Sequence, residues 1–68
     1  MRENDPVVEF PGVECEKETD RALLVTIKGQ EHWIPKSHVH DDSEVFSEGD
    51  HGKLIISEWI ATQKGLKP

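Results

Sequence analysis

Residues 22–39, Ala-Leu-Leu-Val-Thr-Ile-Lys-Gly-Gln-Glu-His-Trp-Ile-Pro-Lys-Ser-His-Val, limit the fold of this chain more than any other stretch. Apolar and β-branched residues recur on either side of a glycine, the pattern of two short strands around a tight turn. A glycine at the first loop position supplies the positive φ of a type II′ turn, so the spacing predicts a turn at Gly29-Gln30. Counting outward pairs Ile27 with His32, Val25 with Ile34 and Leu23 with Lys36. Alternation then gathers Leu23, Val25, Ile27 and Ile34 on one apolar face, with Ala22, Leu24, Thr26 and Trp33 on the other. Both faces of the first strand are apolar and both call for cover.

Cover is scarce. The chain has 68 residues, 34% of them hydrophobic and 32% charged, which is one domain near the lower size limit for a self-sufficient core. Chains of this size often add disulfides, a metal or a partner subunit. A lone cysteine excludes an intrachain disulfide. Self-association is the cheapest remedy, and a homo-oligomer is expected.

Elsewhere the pattern is simpler. Val7, Val8 and Phe10, bracketed by Pro6 and Pro11, read as an N-terminal arm or edge strand over residues 1–12. Val13 and Cys15 alternate with Glu14 and Glu16, a half-buried strand that pairs antiparallel with 22–28. Residues 13–56 form the β core, with 38–50 mostly loop anchored by Val39, Val45 and Phe46. Lys53-Leu54-Ile55-Ile56 is a buried strand. Ser57 is a good N-cap for a helix over 57–66, and Gly65 suits its left-handed end, with Leu66 folding back. Lys64 and Lys67 favour the negative end of the helix, and Pro68 stops it. Trp59 is the expected anchor of this short helix. The fold class is therefore mainly β: a small antiparallel curled sheet or barrel of four to five strands with one short C-terminal helix.

Net charge is −6, with seven acids against two bases in residues 1–20 and five acids without a base in 41–50. Such a chain is a poor grip for a phosphate backbone, so direct nucleic-acid binding is not expected. No apolar run is long enough to cross a bilayer as a helix, and the N-terminus lacks the apolar core of a signal peptide; the expected location is the cytoplasm. No phosphate loop, nucleophile elbow or Cys/His motif occurs, and Cys15 sits among acids that disfavour its thiolate. A catalytic role and a cofactor are not expected. His38, His40 and His51, beside Asp41, Asp42 and Asp50, are the metal candidates, but no ligand spacing supports a closed site and a solvated loop is the preferred reading. The binding candidates are Trp33 and Leu24, an exposed apolar pair if the opposite face is core, with Lys36, Arg21 and Ser37 nearby. Arg21, Lys36 and Trp33 would also suit a nucleotide-type ligand between subunits, through donors and a flat stacking face.

Trp33-Ile34-Pro35-Lys36-Ser37-His38-Val39, followed by Glu58-Trp59-Ile60-Ala61 and Lys64-Gly65-Leu66, resembles a group of short bacteriophage and prophage proteins. These share a Trp-Ile-Pro-Lys-Ser-x-Ile/Val segment after a β-hairpin and a Glu-Trp-x-Ala…Gly-Leu end. The resemblance covers residues 22–66 and departs at His38, where the group often has Gln, and in the His-rich loop. It implies a bacterial host cell and a phage-type accessory or anti-defence protein that binds and blocks a host protein. Sequestration of a nucleotide is the alternative it leaves open.

Overall fold

The computed structural model describes residues 6–66. Among these described residues four strands, β1 (Val7–Glu18), β2 (Ala22–Ile27), β3 (Gln30–Pro35) and β4 (His51–Ser57), precede one helix, α1 (Glu58–Gln63). They form one open antiparallel sheet in the order β3-β2-β1-β4. A 3-10 turn spans Lys36–His38. The sheet class expected from the sequence is the one observed, as an open sheet.

β1 explains how so short a chain curls. Its N-terminal half pairs with β4, from Val7 opposite Ser57 to Glu14 opposite His51, whereas its C-terminal half pairs with β2, from Glu14 opposite Thr26 to Glu18 opposite Leu23. Irregularities fall between Phe10 and Val13 and between Cys15 and Lys17. Such bulges bend a strand and increase its twist. Pro11 has no N–H to give a ladder, and it lies in the first irregularity. The Val7–Phe10 stretch is thus continuous with β1 and paired along β4.

The hairpin differs from its expected register. Ile27 pairs with Gln30, Val25 with His32, Leu24 with Trp33 and Leu23 with Ile34, so the two loop residues are Lys28 and Gly29. Both have positive φ, 53° and 81°, the signature of a type I′ turn. The shift is two residues, which preserves the faces: Leu23, Val25, Ile27 and Ile34 are all buried together. A type I′ turn matches the right-handed twist of its strands as well as type II′ does, and a lysine at its first position gave no signal of it.

The core face also holds Phe10, Val13, Cys15, Leu54 and Ile56, and is closed by Val45, Ile60 and Ala61, with Val8, Val39 and Leu66 packed against it. Cover for this face therefore comes from the chain itself. α1 is held as the sequence suggests. Ser57 Oγ accepts the Ile60 N–H at 3.3 Å, while the Leu66 N–H bonds to Ala61 O and the Gly65 N–H to Thr62 O in a Schellman closure. The anchors are Ile60 and Ala61. Trp59, expected in the core, is 60% exposed: packing the helix through Ile60 turns its neighbour outward. Likewise Val45 is fully buried and Phe46 is 43% exposed, since adjacent residues cannot both face inward there. The contributions expected of Lys67 and Pro68 lie outside the described residues.

Candidate functional site

Loop 39–50 performs a task that its composition hid. Val39 bridges Ile56, and the His40 N–H bonds to Ile55 O at 2.8 Å. The Ser43 hydroxyl donates to Ile55 O and accepts from the Ile55 N–H, both at 2.9 Å. The Glu44 N–H bonds to Lys53 O, and the Lys53 N–H returns to Glu44 Oε1. The outer edge of β4 is thereby sealed by a surrogate strand. A buried serine between Val39 and Val45 was the one available hint.

The same loop consumes the residues that suggested a metal. The Asp50 carboxylate accepts from the Phe46 and Ser47 N–H groups, and His40 Nδ1 accepts from the Asp42 N–H. His38 Nδ1 lies 2.8 Å from Ser57 Oγ, and its ring stacks on Trp59 at 5.5 Å. His51 is exposed on β4, opposite Glu14. His38, His40 and His51 are thus dispersed, and among the described residues no group of three His, Cys, Asp or Glu side chains is assembled for a metal. Cys15 is a buried thiol whose pKa is raised by burial and by the acids Asp50, Glu18 and Glu48, with its Sγ–H on Lys17 O.

The binding candidates fall on two sides of the sheet. Trp33 is 45% exposed and stands directly opposite half-buried Leu24, which in turn pairs with Lys17: one row across the outer face. Since Ile27 and Gln30 flank the two-residue turn, Leu24 and Trp33 form one of the closer, non-hydrogen-bonded pairs, so indole and isobutyl group lie side by side. Lys36 lies two residues beyond inward-facing Ile34, and its Nζ is engaged by Glu18 at 2.6 Å, beside Leu23. That contact holds the Glu18 carboxyl below its ordinary range, chiefly by hydrogen bonding. The Lys36 N–H bonds to Arg21 O; Arg21 and Ser37 are exposed. Trp33 and Leu24 therefore form one patch, while Lys36 belongs to the rim of the core face with an acid already on it.

Comparison with protein-family models, with curated proteins and with solved structures found no match. No helix among the described residues is long and apolar enough to cross a membrane.

Proposed function

We propose that this protein is a non-catalytic contact module whose working surface is the outer face of the β2–β3 hairpin, centred on Trp33 and Leu24. The observation that carries the proposal is the position of Trp33. A large aromatic side chain lies half in solvent beside half-buried Leu24 on the outer face of the hairpin, in a molecule whose core is closed on the other side. Exposed tryptophans with an apolar neighbour are the residues that most often dominate protein–protein binding energy. In the phage-type setting implied by the resemblance, the role is that of an accessory or anti-defence protein that binds and blocks a host protein.

The test is co-purification of the tagged chain from a bacterial host, comparing wild type with Trp33→Ala and Trp59→Ala. One host protein should accompany the wild type and the Trp59 variant. Trp33→Ala should lose about tenfold or more of it, the effect of removing a central aromatic anchor, while melting within a few degrees of wild type. Undiminished recovery with a folded Trp33→Ala variant overturns the proposal.

A further inference from the structure

We infer that the outward edge of β3 docks an extended, basic segment of a partner protein, which joins the sheet as an added strand. The inference rests on the contact surface proposed above and goes beyond it by naming the chemistry and conformation of what binds there.

The two edges of the sheet are treated differently. That of β4 is covered along Lys53, Ile55 and Ile56 by Ser43, Glu44, Val39 and His40. β3 is the outermost strand on the other side. In a two-residue hairpin the residues flanking the turn form a hydrogen-bonded pair, here Ile27 and Gln30, so Gln30, His32 and Ile34 direct their backbone groups at β2. Glu31 and Trp33 direct theirs outward. Pro35 has no N–H, which ends the docking frame.

Side chains beside this frame define the guest. Glu31 stands opposite Thr26, and Thr26 opposite Glu14, in one cross-strand row. The Thr26 hydroxyl also reaches Glu16 Oε1 at 3.5 Å, which brings a third carboxylate to the same place. Among the described residues none of these three acids is in an ion pair, and the adjoining row Trp33–Leu24–Lys17 offers a single ammonium. A strand laid along β3 with Lys or Arg opposite Glu31 gains charge complementarity, and its aliphatic stem or guanidinium can rest on the Trp33 ring. Backbone bonds supply affinity and these alternate side chains supply selectivity, as in strand addition generally.

A second copy is the wrong guest. Antiparallel pairing of β3 with itself about His32 would set each Glu31 against the other copy's Trp33, and would join two chains that each carry a net charge of −6. The acids therefore select against self-pairing and for a basic partner.

The probe is a displayed library of extended ten-residue segments, β-prone and randomised at alternate positions, selected against the intact protein. The expected result is enrichment of Lys and Arg over Asp and Glu at one position. That preference should reverse against Glu31→Lys, and a selected peptide should slow hydrogen exchange at the Glu31 and Trp33 amides. Absence of basic enrichment, or the same preference with Glu31→Lys, overturns the inference. Concentration-dependent protection of those amides without peptide also overturns it, because the guest would then be a second copy. A host protein still lost on Trp33→Ala, together with a failed selection, leaves the contact surface standing and removes only this account of its ligand.

Discussion

At Ser57 one hydroxyl ends a strand, starts a helix and meets a histidine. It is buried, it accepts the Ile60 N–H, and it lies 2.8 Å from His38 Nδ1. The backbone there requires only a capping residue, which a serine before Glu-Trp-Ile advertises. The histidine partner comes from 19 residues away and no local pattern announces it. Glu18 and Lys36 are a similar long-range pair, and their chemistry gives a measurable pH dependence. A carboxyl with a depressed folded pKa contributes stability that is present above the ordinary glutamate range and is lost as pH falls through the lowered value. The difference in melting temperature between wild type and Glu18→Gln should therefore be full at neutral pH, begin to shrink as pH falls through about 4, where a glutamate ordinarily protonates, and vanish only below the lowered folded value. A difference that persists unchanged into acid would show that the pair contributes nothing through charge.

The elements divide according to how local their causes are. The capped helix was readable from residues 57–66 alone, because N-cap and Schellman residues act within a turn or two. The faces of the hairpin were readable from alternation, but its register was not: types I′ and II′ both tolerate this sequence around Gly29, and they differ by a two-residue slide that leaves every face intact. Which of two adjacent apolar residues faces inward was also not local. Val45 and Phe46, or Trp59 and Ile60, are assigned by the direction in which the chain crosses the sheet. Replacing Val45 by Ala should cost about 2 kcal/mol through lost burial and a residual cavity, whereas Phe46→Ala should stay within about 0.5 kcal/mol by chemical denaturation. Comparable losses at both positions would contradict the packing described. Least legible was the sealing of β4, which depends on one serine hydroxyl replacing two ladder bonds. Ser43→Ala should cost about 1–3 kcal/mol, the penalty for leaving a buried backbone group unpaired, and should speed exchange of the Ile55 amide. An unchanged Ile55 exchange rate would count against the surrogate strand.

On the scale of the whole molecule, a scarcity of apolar residues is answered by placement. Among the described residues, twelve buried hydrophobics from every strand, the helix and loop 39–50 form one cluster, so one face of the sheet is completed within a single chain. The other face keeps Trp33 and Leu24 at its surface, with carboxylates around Thr26 beside them. That Trp33 and Leu24 share the outer face was foreseeable from alternation, as was the placing of Lys36 on the other; their direct pairing was not, because it depends on the register, nor was the contact of Lys36 with Glu18. The most direct test of the contact surface places a photo-crosslinking phenylalanine analogue at position 33 or, as a control, at position 59, in the full chain expressed in a bacterial host. A contact surface centred on Trp33 gives one discrete host-protein adduct from position 33 and none from position 59. An adduct from position 59 with none from position 33 would contradict it.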